Sequence, residues 1–185
     1  MPLDVEEHGR FCIFSLRFSA DGFEILGGAN DGYIYLYDRI KQGTCLKIEA
    51  HEDDVNAVAF VDSATHILAS GGDDGLVKIW DRRSLREDKP EPVGTFAGHT
   101  DGITYIDTKE DSRHIITNSK DQSIKLWDLR KFASKKSIAQ TKKAVKNQNW
   151  DYRWARFPGM YLLTQTHRSY FAIRVENISE IFLQK

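Results

Sequence analysis

The sequence predicts an all-β fold, a β-propeller assembled from consecutive four-stranded antiparallel blades, and three observations predict it. Ala29–Asp38, Gly72–Asp81 and Ser119–Asp128 follow one template: Asp31, Asp74 and Asp121 each stand six residues before an aromatic residue that a second Asp follows at once. The copies lie 43 and then 47 residues apart, a period typical of propeller blades. Between these marks run short apolar stretches with strand alternation, separated by Gly, Asp and Asn turn chemistry.

Residues 1–10 read as a lead-in and 11–50 as the first blade. Its strands fall at Ile13–Phe18, Glu24–Gly28, Tyr33–Tyr37 and Cys45–Glu49, and Asp21-Gly22 is the turn signal of the first hairpin. The second blade, 51–98, has strands at Val55–Phe60, His66–Ser70, Leu76–Trp80 and Val93–Phe96. In its first strand Val55, Ala57 and Ala59 fall on one face and Val58 and Phe60 on the other, a density that suits a strand covered on both sides. The polar, proline-bearing stretch from Arg82 to Pro92 accounts for the longer interval. The third blade, 99–140, has strands at Ile103–Asp107, His114–Thr117 and Ile124–Trp127, but no clear fourth strand. Residues 141–185 read as a basic linker and divergent tail. Ala133 to Asn149 shows no strand alternation, and Trp150-Asp151 lacks the Asp-bearing turn of the template. Tyr170–Val175 is strand-like yet matches nothing in it.

Composition narrows the function classes. The formal net charge is −1, so there is no bulk attraction to nucleic acid or to a membrane surface. No apolar run reaches the ~18 residues of a membrane span, and the acidic start Leu3-Asp4-Val5-Glu6-Glu7 is unlike a signal peptide. The two cysteines, Cys12 and Cys45, have no zinc spacing and suit a reducing compartment. Nine basic residues and one acidic residue lie between Arg130 and Arg156. With Phe132 the one aromatic before Trp150 they read as a solvated linker, an import or nucleic-acid signal being the alternative.

Two clusters imitate a site. The acids of Glu49–Asp54 point in different directions and read as a solvated loop rather than a metal site. Gly71–Gly75 ends a strand and opens no helix, so it cradles no phosphate. A third constellation is more instructive. His51, Ser70, Asp74 and Trp80 recur one repeat later as His99, Thr117, Asp121 and Trp127. This looks like a hydrolase triad, but it recurs once per blade, accepts Thr for Ser and lacks a glycine-flanked nucleophile turn. The expectation is a buried hydrogen-bond network, with no catalytic residue, metal or cofactor. The first blade has Tyr37, Gly27 and Gly9 at these positions and keeps only Asp31, so apolar packing and ladder bonds alone are expected to hold it.

Gly98-His99 … Trp127-Asp128, and Ala50-His51 … Trp80-Asp81 with Ala for Gly, resemble WD40 repeats, from about Phe11 to Arg130. The resemblance implies a ring of usually seven blades. Trp80-Asp81-Arg82-Arg83 and Trp127-Asp128-Leu129-Arg130 also place Arg two residues after the Trp-Asp pair, whereas Tyr37-Asp38-Arg39-Ile40 does not. That tandem WDxR motif is similar to the substrate receptors of cullin-four RING ubiquitin ligases. Leu3–Phe11, His51–Phe60, Ser70–Asp74 and Gln148–Trp154 extend the likeness to Trp154. The resemblance implies that Arg83 and Arg130 reach the ligase adaptor, the damage-specific DNA-binding protein one. It implies further that propeller loops meet a protein substrate of unknown identity, in nucleus and cytoplasm. A generic protein-interaction scaffold, with incidental arginines, is the alternative.

Three blades do not close a ring, for which at least ~4 are needed. The sequence therefore predicts an open array, truncated relative to the family, with a tail of different origin from Ala155. Its end blades are expected to expose apolar side chains, leaving it marginal alone or dependent on a partner.

Overall fold

Each strand of the computed structural model begins or ends where turn chemistry interrupts an apolar stretch. The structure describes residues 10–86 and 89–148, and the backbone of 170–174. The first sheet is β1 (Ile13–Phe18), β2 (Glu24–Ala29), β3 (Tyr33–Asp38) and β4 (Gly43–Glu49), paired in that order. The second is β5 (Val55–Phe60), β6 (Ile67–Gly72), β7 (Val77–Asp81) and β8 (Gly94–Phe96). The third begins with β9 (Ile103–Thr108), β10 (His114–Ser119) and β11 (Ser123–Asp128). The helix α1 (Lys135–Lys146) follows, and β12 (Tyr170–Arg174) then joins the third sheet beside β11. All pairings are antiparallel, so the predicted all-β blade architecture stands.

Two buried layers hold the sheets face to face. Leu26, Ile34, Leu36 and Ile48 of the first sheet pack on Val55, Val58, Leu68 and Trp80 of the second. From the other face of the second sheet, Ala57, Ala69, Val77, Ile79 and Phe96 meet Ile103, Ile106, Ile115 and Trp127. The joint geometry repeats. A side chain on Gly28 would collide with Val55, and one on Gly71 with Ile103. Each glycine thus admits the branched side chains of the next blade. Val55 departs from the simple alternation: a register shift between Val55 and Ala57 turns it to the Val58 face. An extra residue in a strand has that effect, because the side-chain period is two.

The positions that fill these joints are exposed at both ends of the array. Ile13 and Leu16, in register with Val55 and Val58, are 40% and 56% exposed. Ile116 and Leu126, in register with Ala69 and Ile79, are 38% and 42% exposed.

Two features depart from the predicted third blade and linker. Its missing fourth strand is β12, from the segment read as divergent: Tyr170 pairs with Trp127 and Arg174 with Ser123. The backbone ladder needs extended chain, not the template's side chains. Second, the stretch expected as a linker contains α1, which runs across the 140/141 boundary between the predicted blade and tail. Ser134 caps its N-terminus by accepting from the Ser137 N–H, and Lys143 and Lys146 in the last turn suit the helix dipole. The fully buried residues of α1 are Ser137 and Thr141, with Ile138, Ala144 and Val145 half-buried beside them, so its inward face mixes small polar and aliphatic residues. Phe132 stacks near Phe96, and Ala133 N–H bonds Thr95 O at 2.8 Å. Lys142 then pairs with Glu52, fastening α1 over the second blade. The lead-in, Gly9, Trp150-Asp151 and the rest of the tail lie outside the described residues.

Candidate functional site

Strand β7 runs from the Asp74 turn to Asp81, and β11 from the Asp121 turn to Asp128. The two ends do different chemistry. At the turn end lies the buried network. Trp80 Nε1 donates to Ser70 Oγ at 2.9 Å, and Ser70 Oγ meets His51 Nε2 at 2.8 Å. His51 Nδ1 lies 3.0 Å from both Asp74 oxygens, and Asp74 also accepts the Leu76 N–H at 3.0 Å. In the third blade Trp127 Nε1 to Thr117 Oγ1, Thr117 Oγ1 to His99 Nε2, and His99 Nδ1 to Asp121 are each 2.8 Å.

Burial pushes both imidazoles below their ordinary pKa, against the pull of the neighbouring carboxylates, so they are neutral. Burial alone would raise Asp121, but His99, Ser123 and the Thr100 N–H bring it down to about 2. Asp74 is lowered as well, His51 and the Leu76 N–H outweighing burial. A neutral ring beside an ionised carboxylate has one arrangement. Nδ1–H donates to Asp, Nε2 accepts the Ser or Thr hydroxyl, and that hydroxyl accepts the indole N–H. Every member is used by another, and the hydroxyls, 0% and 1% exposed at Ser70 and Thr117, have no open side for a substrate.

The first blade has its own polar tie. Asp31 accepts the Tyr33 N–H at 3.0 Å and the Tyr35 hydroxyl. Burial first, and then Asp31, raises the Tyr35 pKa. Arg82 adds a clasp from the second blade, its NH1 and NH2 each 2.8 Å from a Glu24 oxygen. The expectation of apolar packing and ladder bonds alone is therefore corrected. The missed residues are Tyr35, where the later copies have Lys78 and Lys125, and Arg82, which follows the second copy; neither residue type recurs, so only the contact reveals them.

At the opposite strand end stand Arg83 and Arg130, with the same local geometry. Asp81 accepts the Arg83 backbone N–H at 3.0 Å, Nε at 2.9 Å and NH2 at 2.7 Å. Asp128 accepts the same three groups of Arg130 at 3.0, 3.0 and 2.7 Å. The Arg83 guanidinium, first through that hydrogen bond, draws Asp81 down to about 2. The side chains stay 64% and 61% exposed. Each fork spends two of the five guanidinium N–H bonds on its own Asp and points the other three away from it. In the first blade Asp38 accepts the N–H groups of Ile40 and Lys41 at 2.9 and 3.0 Å, and Ile40 occupies the arginine's register. Among the described residues no group of three or more His, Cys, Asp or Glu is placed to hold a metal ion.

The outward N–H groups of the two forks can bond carboxylate or carbonyl oxygens of a partner. The family described as "WD domain, G-beta repeat" matches residues 3–38, 43–81 and 90–128. The "DDB1- and CUL4-associated factor 11 homolog" of Caenorhabditis briggsae is 45% identical over 79% of this chain and 26% of its own length. Its Caenorhabditis elegans namesake is 43% identical over 85% of this chain and 28% of its own length. The "LEC14B protein" of Lithospermum erythrorhizon is 47% identical over 80% of this chain and 30% of its own length. The chain thus spans between a quarter and a third of the length of these curated relatives. A crystal structure of the RRP9 WD40 repeats superposes with a TM-score of 0.58 at 23% identity, covering 67% of this chain and 37% of that one.

Proposed function

The chain belongs to the WD40 repeat family, and from that premise we propose that it is a non-catalytic substrate receptor of a cullin-four RING ubiquitin ligase, docking on the ligase adaptor through Arg83 and Arg130. The observation that carries this reading is the pair of matching Asp–Arg forks, Asp81 with Arg83 and Asp128 with Arg130, Asp128 pairing with Arg113 as well. A guanidinium already held by two bonds to its own strand loses little rotamer freedom on docking. Its free N–H groups make directional, charge-assisted bonds to carboxylates or carbonyls of a partner. The names of the Caenorhabditis relatives, which speak of DDB1 and CUL4 association, support the choice of adaptor.

The turn end of each strand, with α1 fastened over it, lies away from the arginines. Docking there leaves the turn loops and the lysine-rich helix available to a protein substrate. No cofactor is required, and the reading places the protein in nucleus and cytoplasm.

The test is capture of the purified damage-specific DNA-binding protein one by this chain. Arg83→Ala with Arg130→Ala is expected to abolish capture while leaving the circular dichroism spectrum unchanged. Equal capture by both proteins refutes the docking role. It favours instead a generic protein-interaction scaffold.

A further inference from the structure

Ile40 is 71% exposed and stands in the register that Arg83 and Arg130 occupy in the next two blades. It borders a surface groove of about 610 Å³ between the first and second blades, whose opposite side includes Arg83. Phe23, 53% exposed, lies in the same groove.

Several of the charges that line the groove already have partners. Glu24 is held by the Arg82 fork, 2.8 Å at each oxygen, and Arg83 by Asp81. Asp38 accepts two backbone N–H groups and pairs with Lys41 at 3.4 Å, and Asp21 accepts the Ser19 hydroxyl and the Phe23 N–H. Lys41, 80% exposed, and the outward N–H groups of Arg83 stay open to a partner. Beside these cations the groove offers the apolar surface of Ile40 and Phe23.

We propose that this groove receives an apolar side chain of the ligase adaptor, so that docking has three contacts along one face: an apolar anchor at the first blade and guanidinium anchors at the second and third. The inference rests on the docking role given above to Arg83 and Arg130. It explains why the first blade, whose strand end presents the same Asp turn, can lack the arginine and still contribute. A partner that reaches Arg83 borders Ile40, because the two share a rim. Burying an isoleucine there strengthens binding by roughly tenfold or more.

The experiment titrates the purified adaptor against the full chain and measures Kd for wild type, Ile40→Leu, Ile40→Asp, Ile40→Arg and the Arg83→Ala, Arg130→Ala pair. At so exposed a position none of the Ile40 variants should alter the melting curve. Expected is an unchanged Kd for Ile40→Leu and a Kd raised tenfold or more by both Ile40→Asp and Ile40→Arg. Loss of affinity in the arginine pair with wild-type affinity in Ile40→Asp overturns the groove and leaves the docking role standing. Wild-type affinity in all variants, or no binding by wild type, overturns both. Tighter binding by Ile40→Arg overturns the apolar character of the anchor.

Discussion

Thr117→Val separates the hydroxyl of the buried network from the volume it fills. Thr117 is 1% exposed, and its Oγ1 joins Trp127 Nε1 and His99 Nε2, each at 2.8 Å. Valine keeps the volume but takes the hydroxyl partner from a buried indole N–H and a buried imidazole nitrogen. Each such loss costs ~1–3 kcal/mol, so the variant is expected to lose about 2–6 kcal/mol, a large part of the ~5–15 kcal/mol that holds a typical domain. Thr117→Ser keeps the hydroxyl and removes one methyl group, for about 1 kcal/mol. Urea unfolding followed by tryptophan fluorescence and far-ultraviolet circular dichroism measures both, provided the m-value is unchanged. Adding Trp127→Phe to Thr117→Val should cost less than the two singles summed, since one of the orphaned groups is gone. If Thr117→Val is no worse than Thr117→Ser, the network does not hold the blade in the way its geometry implies.

Further outcomes follow from other residues. Because burial lowers the folded-state pKa of His51 and His99, the unfolded chain takes up protons first as pH falls below about 6.5. Stability is then full above that pH and declines below it, by up to about 1.4 kcal/mol per pH unit for each histidine. Urea midpoints that stay constant between pH 7.5 and 5 would contradict the neutral-ring assignment. Val58→Ala, at a buried joint, should cost about 2 kcal/mol, whereas Leu16→Ala at the exposed equivalent should stay within about 0.5 kcal/mol, both read by thermal melts. Arg82→Lys, which cannot reproduce the paired bonds to Glu24, should lose about 1 kcal/mol in the same melts. Asp81→Asn with Asp128→Asn should weaken adaptor binding at unchanged stability, because both guanidinium groups lose their hold; unaltered binding would mean that the forks play no part.

The strand ladder was legible because alternation and turn residues act over a few positions. Among the described residues the strands fall within two residues or so of where turn signals and apolar stretches place them, as at Ile13–Phe18 and Val55–Phe60. The residues that form the network and the forks were also legible, since a repeat aligns His51 with His99 and Arg83 with Arg130. What stayed hidden depends on distant contact. The inward face of α1 mixes Ser137 and Thr141 with Ile138, Ala144 and Val145, a weak apolar pattern inside a lysine-rich stretch. Tyr170–Val175 reads as a strand, but its place beside β11 did not show, because β12 pairs through its backbone and no template residue marks it. The Tyr35–Asp31 and Arg82–Glu24 ties substitute for absent template residues, and Ile40 gains meaning only beside the groove it shares with Arg83.

The account depends most on the two exposed arginines. Its most direct test is the Kd of the purified damage-specific DNA-binding protein one for wild type, Arg83→Ala, Arg130→Ala, and the pair replaced by lysine. Truncating one partner of a hydrogen-bonded charge pair at an interface costs about 2–5 kcal/mol, so each alanine should weaken binding roughly thirtyfold or more. Lysine should not restore it, lacking the planar fork. Wild-type affinity in both single alanine variants and in the lysine pair would contradict the central claim.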